Sequence, residues 1–225
     1  MEENSRPSIG IVGGTGDLGG GLARRWAKAG YRVLIGSRRE ESARAAAEAL
    51  AAQASEAGWE QCDAQGHGNL DAAQQADLVV VTVPFGSQRD TLESIASAVH
   101  GKIVVDVTVP LVPPKVARVQ MPAEGSAGQI AQSMLGEEVR VVSAFQNVAA
   151  AHLQTDDPIA CDVLVCGNSK EARQEVIDLM GAIGMRGVHA GLINNAAAAE
   201  ALTSVLINLN RQYKTHTGIR ITGID

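Results

Sequence analysis

The stretch Ile9-Gly-Ile-Val-Gly-Gly-Thr-Gly-Asp-Leu-Gly19 decides the fold prediction, because it places the spacing Gly-x-Gly-x-x-Gly between a β-branched run and an amphipathic run. A strand, a glycine-rich turn and a helix in this order are typical of a dinucleotide-binding βαβ unit. One glycine permits the tight bend, one lets the backbone approach a pyrophosphate, and one brings the helix close to the sheet. The pyrophosphate then meets free N–H groups at a helix N-terminus. The residues predicted to bind it are Gly14, Thr15, Gly16, Asp17, Leu18 and Gly19.

Outward from this turn, the apolar pattern alternates between strand and helix. The predicted strands are apolar on both faces, which indicates a parallel sheet covered by helices on both sides. We predict an α/β fold, a Rossmann-type doubly wound parallel sheet with a small α/β C-terminal part that ends in a long helix. The predicted strands are 8–13, 32–36, 78–83, 102–107, 139–144, 161–166 and 187–190, and the predicted helices are 18–30, 40–57, 87–99, 170–183 and 195–214.

The chain is expected to contain two domains. Residues 1–145 are predicted to form the dinucleotide-binding domain, and residues 146–225 a small domain packed on it that carries the substrate site and a dimer contact. A long irregular stretch with four prolines precedes the strand predicted at 139–144. Long loops in compact domains are often functional, and a plain surface excursion is the alternative here.

The residues after the second predicted strand indicate which dinucleotide binds. An NAD site usually has Asp or Glu there, which accepts hydrogen bonds from the adenosine ribose. The chain has Ser37-Arg38-Arg39 instead, with no carboxylate before Glu40. A guanidinium binds a 2′-phosphate through paired charge-assisted hydrogen bonds, whereas a carboxylate repels it. We therefore predict NADP rather than NAD, and the alternative is that Arg38 and Arg39 are only a solvated entry to the next helix.

The composition argues against several other classes of protein. The 225 residues include 19 Lys and Arg against 25 Asp and Glu, and this net charge of −6 is unlike that of a general nucleic-acid binder. The three cysteines have neither CxxC spacing nor an even count, which indicates thiols in a reducing compartment. No signal-peptide pattern is present at the start, and the apolar runs are far shorter than the roughly 20 residues of a membrane span. We expect a soluble cytoplasmic protein with no nucleic-acid or membrane partner.

Six short segments spread over nearly the whole chain carry a family resemblance. They are Gly13-Gly-Thr-Gly-Asp-Leu-Gly19, Gly36-Ser-Arg-Arg-Glu-Glu41, Val81-Thr-Val-Pro-Phe85, Val141-Val-Ser-Ala-Phe145, Val165-Cys-Gly167, and Tyr213-Lys214 through Gly218-Ile-Arg-Ile-Thr-Gly223. Together they resemble coenzyme F420-dependent NADP reductases. The glycine turn alone is shared by many folds, but its combination with Ser-Arg-Arg and the C-terminal segment is much more specific.

This resemblance implies hydride transfer between NADP(H) and the deazaflavin coenzyme F420, carried out by a homodimer. The resemblance also implies that the hydroxyl of Thr15 contacts the cofactor phosphates. The alternative is that Thr15 is only a solvated residue of the turn. The further residues that the resemblance assigns to the cofactor are Ser37 and Arg38 at the 2′-phosphate, Val83 and Pro84 against the nicotinamide, and the backbone of Ala150 at the nicotinamide amide.

Two positions depart from the family pattern. Ser42 stands where the family often has a lysine near the 2′-phosphate. The segment after Ala144 differs from an archaeal pattern that has His and a later Pro, and this segment is expected to face the electron acceptor. The predicted substrate residues are Phe145, Gln146, Asn147 and Val148.

No catalytic acid, base or metal ligand is predicted. The five histidines lack metal-binding spacing, and no nucleophile motif is present. His152 and His189 either face the second site or are ordinary structural residues, and Asp106 is either a ligand-edge carboxylate or a strand-end cap. Hydride exchange between two cofactors needs only ring stacking and exclusion of water, because each cofactor has its own reactive carbon. The prediction is therefore that the protein acts by positioning alone.

The end of the chain has two further features. Leu202, Val205 and Leu209 lie at helical spacing and form either a core face or a subunit interface. Arg211, Lys214, His216 and Arg220 form a basic cluster that suits the anionic tail of a deazaflavin, with a solvated helix end as the alternative. Two other functions stay open: an NADPH-dependent reductase of another small acceptor (a carbonyl, an imine or a flavin), and a non-catalytic NADP(H)-responsive binding protein.

Overall fold

Strands and helices alternate along residues 6–224, the part of the chain that the computed structural model describes. Two short 3-10 helices, Ala96–Ala98 and Ile193–Asn195, join longer elements. The strands are β1 (Ile9–Val12), β2 (Arg32–Ser37), β3 (Asp63–Gly68), β4 (Leu78–Val81), β5 (Ile103–Asp106), β6 (Arg140–Ser143), β7 (Asp162–Gly167) and β8 (Arg186–Gly191). The helices are α1 (Asp17–Lys28), α2 (Glu40–Glu56), α3 (Asn69–Gln75), α4 (Phe85–Ile95), α5 (Ala127–Leu135), α6 (Ala150–Leu153), α7 (Lys170–Gly181) and α8 (Ala196–Tyr213).

One sheet contains all of these strands in the order β3-β2-β1-β4-β5-β6-β7-β8. The six strands from β3 to β6 are parallel, in the order of doubly wound dinucleotide-binding folds. The predicted α/β fold class is confirmed. The strand order reverses at β1, where Ile11 pairs with Ile35 of β2 on one side and with Val80 of β4 on the other. Sheets of this kind bind ligands in the crevice at such a reversal, beyond the carboxyl ends of the strands.

Apolar side chains cover both faces of the sheet. On one face, α1 and α7 bury Leu22, Trp26 and Val176 against the strands. On the other face, α3 and α4 bury alanine, leucine and isoleucine side chains, including Leu92 and Ile95. Because the chain has few aromatic residues, this core is built mainly of aliphatic side chains.

The sequence pattern missed β3 and α3. β3 reads Asp-Ala-Gln-Gly-His-Gly and has no apolar run, because it lies at the edge of the sheet with its residues partly exposed. Its residue Gly66 lies directly under α2, where an added Cβ would come 2.2 Å from the backbone nitrogen of Arg44. Close packing of its backbone against α2, rather than burial of apolar side chains, therefore stabilises this strand.

The stretch predicted as irregular before residue 139 contains α5. The hydroxyl of Ser126 caps this helix by accepting a hydrogen bond from the backbone nitrogen of Gln129 at 3.0 Å. The irregular segment is therefore shorter than expected and ends before Ala127. The one-turn helix α6 was not predicted either.

The C-terminal strands continue the same sheet. β7 pairs with β6 in the antiparallel direction, Ser143 opposite Cys166, and no strand direction was predicted for this C-terminal part. Residues that are buried on both faces show no pattern that distinguishes the two directions. The predicted domain boundary between residues 145 and 146 falls directly after β6, and it stays a prediction.

The last helix, α8, agrees closely with the predicted range. It packs against α5 and β7 and buries Ala196, Ala199 and Leu206. Val205 on its other side is 45% exposed. Among the helices of residues 6–224, α8 included, none is both long and apolar enough to cross a membrane.

Candidate active site

The glycine-rich turn is held by backbone contacts between the ends of β1, β2 and β4. The backbone nitrogen of Gly14 donates to the carbonyl oxygens of Ile11 and Gly36, at 3.1 Å and 2.9 Å. Gly13 has a φ of +76°, and an added Cβ there would come 2.6 Å from Cγ1 of Val83. A side chain at residue 13 is therefore excluded both by the backbone conformation and by the neighbouring strand end.

The last glycine of the motif brings α1 close to β4. A Cβ on Gly19 would lie 2.6 Å from Oγ1 of Thr82 and 2.8 Å from Cα of Gly14. Gly16 precedes the helix and no side chain caps it, so the first N–H groups of α1 point into the space beyond the turn. Free N–H groups and the positive end of the helix dipole are suited to a pyrophosphate.

A cavity of about 530 Å³ lies beyond the carboxyl ends of β1 and β4. This volume lies within the range of roughly 300–1,000 Å³ that is usual for small-molecule and cofactor sites. The turn, the end of β2 and the start of α4 contribute most of its wall. The lining residues are Gly13, Thr15, Gly16, Ser37, Arg38, Arg39, Ser42, Asn69, Thr82, Val83, Pro84, Ser87 and Thr91.

The end of β2 gives this cavity a positive charge. Arg38 and Arg39 are exposed, and neither guanidinium is in an ion pair with any residue of the described range 6–224. The nearest acidic residue in sequence, Glu40, is engaged with Arg44 one helical turn away at 2.5 Å. Two guanidinium groups that lack carboxylate partners are therefore available to a phosphate.

Several lining residues were missed by the sequence analysis. Asn69 follows β3, and its Oδ1 accepts a hydrogen bond from the backbone nitrogen of Gly13 at 3.2 Å. Thr82 follows β4, and Ser87 and Thr91 lie on α4. The rule that ligands bind beyond the carboxyl ends of parallel strands points to Thr82 directly, and it points to Asn69 once β3 is recognised.

The predicted substrate residues lie in a buried segment after β6. Phe145 is 1% exposed, has a φ of +73°, and its ring contacts Trp26 edge to face with 6.0 Å between ring centroids. The amide of Gln146 donates to the carbonyl oxygen of Asp106 and to the hydroxyl of Ser143, both at 2.9 Å. These side chains hold the segment to the core, and they do not line the cavity of about 530 Å³.

Asn147 and Val148 complete that segment. The amide of Asn147 donates to the carbonyl oxygen of Ala199 at 2.9 Å and to Oγ1 of Thr203 at 3.2 Å, which ties the segment to α8. Val148 is 9% exposed. The assignment of residues 145–148 to the substrate stays a prediction, and their side chains have a structural role as well.

Ala150, predicted at the nicotinamide, is the first residue of α6 and lies outside the cavity lining. The helix it begins packs directly on α1. A Cβ on Gly21 would come 2.5 Å from Cβ of Leu153, and the amide of Gln154 donates to the carbonyl oxygen of Asp17 at 2.8 Å. Four other residues predicted at the cofactor form the turn but do not line the cavity; they are Gly14, Asp17, Leu18 and Gly19.

Asp106 is fully buried at the end of β5. Its Oδ2 accepts from the amide of Gln88 at 2.5 Å and its Oδ1 from the backbone nitrogen of Thr108 at 3.0 Å. Burial raises the pKa of Asp106 above its ordinary value, and these hydrogen bonds oppose the shift. Of the two interpretations left open for this residue, the contacts favour a structural carboxylate that joins α4 to β5.

A second buried carboxyl, Glu200, joins α8 to α5. Its oxygens accept from the backbone nitrogens of Ala127 and Gly128 at 2.7 Å and 3.0 Å. Burial raises the pKa of Glu200 to about 8, with the charge of Asp106 as a smaller cause, while the two backbone hydrogen bonds oppose the shift. The sequence analysis did not single out this residue, because one Glu in a helix resembles any solvated position.

The remaining candidates lie on the surface. His189 contacts Gln174 on α7, at 3.1 Å from Nε2. The ring of His152 lies edge to face on that of His216, with 5.5 Å between centroids. Beside it, a second cavity of about 380 Å³ is lined by Ile207, Asn210, Arg211, Lys214, Thr215 and His216, but not by Arg220. Three of the four predicted basic residues are therefore brought together next to α6.

Comparison with known proteins identifies the family. A sequence model described as "NADP oxidoreductase coenzyme F420-dependent" matches residues 8–110. An F420-dependent NADP reductase of Methanocaldococcus jannaschii is 42% identical over 96% of this chain and 99% of its own length. The chain belongs to the F420-dependent NADP reductase family. A second member, from Methanothermobacter thermautotrophicus, is 40% identical over 96% of this chain and 95% of its own length.

Solved structures agree with this membership. A chain from Arthrobacter sp. FB24, proposed to be an F420-dependent NADP reductase, superimposes with a TM-score of 0.79 at 27% identity, covering 96% of this chain and all of its own. An imine reductase from Myxococcus stipitatus shares the fold at 18% identity and a TM-score of 0.61, over 93% of this chain and 62% of that one. The predicted membership of the F420-dependent NADP reductase family is confirmed.

Proposed function

We propose that the protein is an oxidoreductase that transfers a hydride between NADP(H) and the deazaflavin coenzyme F420. The observation that carries this proposal is near full-length similarity to F420-dependent NADP reductases, together with a cavity of about 530 Å³ lined by the glycine-rich turn and two arginines. The first N–H groups of α1 suit a pyrophosphate. Arg38 and Arg39, which form no ion pair with residues 6–224, suit the additional 2′-phosphate of NADP.

The residues of this site bind and orient rather than exchange protons. When both rings are bound, the nicotinamide and the deazaflavin supply the reactive carbons. Val83 and Pro84 present an apolar wall on the cavity side of α4, where a nicotinamide ring is expected to lie. Residues 145–148 are buried and do not line this cavity, so their part in excluding water from the acceptor is a proposal that rests on the family resemblance. Hydride exchange between two cofactors needs no acid–base pair, so we propose no catalytic acid or base here.

We propose the following site. Gly14 to Gly19 and the N-terminus of α1 bind the pyrophosphate, with Thr15 lining the same space. Ser37, Arg38 and Arg39 bind the 2′-phosphate, and Ser42 lines the same end in place of the lysine that is frequent in the family. The backbone of Ala150 binds the nicotinamide amide, and residues 145–148 face the deazaflavin. The basic cavity around Arg211 and Lys214, on the far side of α6, suits the anionic tail of F420.

We also propose that the protein works as a homodimer in the cytoplasm. Val205 on α8 is 45% exposed and Tyr213 at its end is 64% exposed, on a helix whose opposite side is buried in the fold. An apolar side of this kind is suited to a second copy of the same chain.

One other function has support from a specific observation. Gln146 and Asn147 replace the pattern that we expected at the acceptor side, so another small acceptor of the NADPH hydride stays a candidate. An assay in which F420 competes with another acceptor for the hydride of NADPH decides between the two functions. If a carbonyl, imine or flavin is the true acceptor, it is reduced faster than F420 and at lower concentration.

The direct experiment mixes the protein with reduced F420 and NADP and follows formation of NADPH. The proposal predicts turnover with NADP and much slower turnover with NAD. Intact binding of NADPH without turnover of F420 over a broad pH range would contradict it; reduction of another acceptor would then support the second function, and no oxidation with any acceptor would support a non-catalytic binding protein.

A further inference from the structure

A buried arginine ties the acceptor side of the site to the first helix of the nucleotide site. Arg25 lies in the second half of α1 and is 9% exposed. Its Nη2 is hydrogen-bonded to two backbone carbonyl oxygens beyond α6, those of Thr155 at 2.7 Å and Asp157 at 2.8 Å. The same nitrogen donates to the carbonyl oxygen of His152 at 2.8 Å. A fourth carbonyl oxygen, that of Ile183 after α7, accepts from Nη1 at 3.2 Å.

All hydrogen bonds that the Arg25 guanidinium makes within the described residues go to backbone carbonyl oxygens, and its buried Nε has no partner there. Among the described residues no carboxylate forms an ion pair with it. The neighbouring Asp156 pairs instead with Arg24 at 2.8 Å and with Lys28 at 2.5 Å, which lowers the pKa of Asp156 to about 2. Burial lowers the pKa of Arg25, but a guanidinium stays charged in proteins. Burying a charge without a carboxylate partner costs free energy. We therefore expect that holding these carbonyl groups in place matters to the protein.

The segment that Arg25 holds has few apolar contacts with the rest of the fold. Residues 151–158 are exposed except for Leu153, which packs on α1. In the four-residue helix α6, the guanidinium supplies a donor to the carbonyl oxygen of His152, near the C-terminal end of the helix. Exposed segments with few apolar contacts open readily. Two buried arginines link this segment to α1: Arg25 bonds three of its carbonyl oxygens, and Arg24 donates to the carbonyl oxygen of Thr155 at 3.3 Å and pairs with Asp156.

Arg25 is too far from the pyrophosphate to bind it. It lies eight residues after Asp17, which corresponds to about 12 Å along the helix axis. Its side chain is also enclosed by α6 and the end of α7. Its effect on the reaction must then pass through the segment that it holds, which follows Val148 and Ala150 directly.

We infer that Arg25 is a positioning residue for hydride transfer, because it fixes residues 148–157 against α1 and thereby sets the distance between the acceptor and the nicotinamide. This inference rests on the proposed function. α1 binds the pyrophosphate at its first turn and holds the acceptor-side segment at its last turn, so one rigid helix carries both ligands. A displacement of about 1 Å between reacting groups is enough to reduce the rate of transfer strongly.

The test uses Arg25→Lys, which keeps the charge but lacks the fork that reaches carbonyls on two segments. We expect the Kd of NADPH, measured without acceptor, to change little. We expect kcat for hydride transfer to F420 to fall about 10–100-fold. The kinetic isotope effect with NADPH deuterated at C4 should rise, because transfer becomes the slow step. Amide hydrogen exchange at residues 150–157 should become faster, with exchange in β1 unchanged.

Two further variants control this test. Lys28→Gln removes an exposed contact to the same segment while leaving the bonds of Arg25 in place, and it should behave as wild type. Leu153→Ala loosens the segment without touching Arg25 and should give the same split between NADPH Kd and kcat. It thereby decides the matter if Arg25→Lys does not fold.

The inference is overturned if either loosening variant folds and keeps the wild-type kcat, or if its NADPH Kd weakens in parallel with kcat. Failure of the proposed function has a different signature. In that case the wild type itself does not turn over with F420, whereas the change in hydrogen exchange at residues 150–157 still reports whether Arg25 anchors the segment.

Discussion

At the scale of single residues, Arg38 is the position where sequence and structure bear most directly on cofactor choice. Its guanidinium lines the cavity and has no ion-pair partner in the described chain. Charge-assisted hydrogen bonds are worth about 1.5–3 kcal/mol each. Arg38→Gln should therefore raise the Kd of NADPH about 10–100-fold, while the Kd of NADH stays nearly unchanged. Titration of intrinsic nucleotide fluorescence measures both constants.

Arg44→Gln is the matched control for that experiment. Arg44 lies on the same helix, but its guanidinium is engaged with Glu40 and it does not line the cavity. Its removal should leave both constants unchanged. If Arg38→Gln weakens the binding of NADPH and NADH equally, Arg38 does not bind the 2′-phosphate.

At the scale of secondary-structure elements, the contact between α1 and α6 depends on a glycine. A Cβ on Gly21 would come 2.5 Å from Cβ of Leu153, whereas a Cβ on Gly20 has no neighbour closer than 3.7 Å. Gly21→Ala should destabilise the fold by about 1–3 kcal/mol because the two helices are forced apart. Gly20→Ala, the same change one residue earlier, should be neutral or stabilising by up to about 1 kcal/mol. Denaturant unfolding compares them, and equal effects would contradict the close packing.

The joint between α5 and α8 predicts a pH dependence of stability. The pKa of Glu200 is raised from its ordinary value of 4.5 to about 8 in the folded protein. Between these pH values the folded state holds a proton that the unfolded state has lost, so the contribution of Glu200 to stability falls as pH rises through this window. The slope is at most about 1.4 kcal/mol per pH unit, and the effect is complete above the folded pKa.

Glu200→Gln isolates this effect, since glutamine does not titrate. The free energy of unfolding of the wild type, measured relative to this variant by denaturation at several pH values between 5.5 and 8, should decrease with rising pH. If this difference in the free energy of unfolding is constant or grows with rising pH, Glu200 is ionised in the folded protein.

The elements also show how far sequence reasoning extends. The sequence predicted β1, α1 and β2 because the signals for them can be read from short stretches of the chain. These signals are apolar periodicity, the spacing of the glycines and the two arginines after β2. β3 was missed because Gly66 contributes by leaving space for α2, which no periodicity reports. α6 was missed because one turn of helix is stabilised mainly by Arg25 and Leu153, contacts that are distant in sequence. The same limit applies to Asn69, whose role depends on its proximity to Gly13.

At the scale of the whole molecule, the exposed apolar side of α8 predicts a dimer. One chain has a mass of 23.4 kDa, so sedimentation should give about 47 kDa for the wild type. Val205→Glu places a charge on the side chain that is 45% exposed, and it should shift the equilibrium toward monomer without unfolding the chain. A wild type that sediments as a monomer at all accessible concentrations would contradict the proposed assembly.

The whole molecule places a nucleotide site and an acceptor-side segment on one helix, and the central claim is that a hydride passes directly between the ligands held there. The most direct measurement supplies NADPH deuterated at the transferring C4 position, with F420 as acceptor, and determines the deuterium content of reduced F420 by mass spectrometry. Our account predicts that deuterium appears on the reduced deazaflavin and that NADH deuterated in the same way is a poor donor. Reduced F420 that contains only solvent hydrogen, or bound NADPH that does not reduce F420, would contradict it.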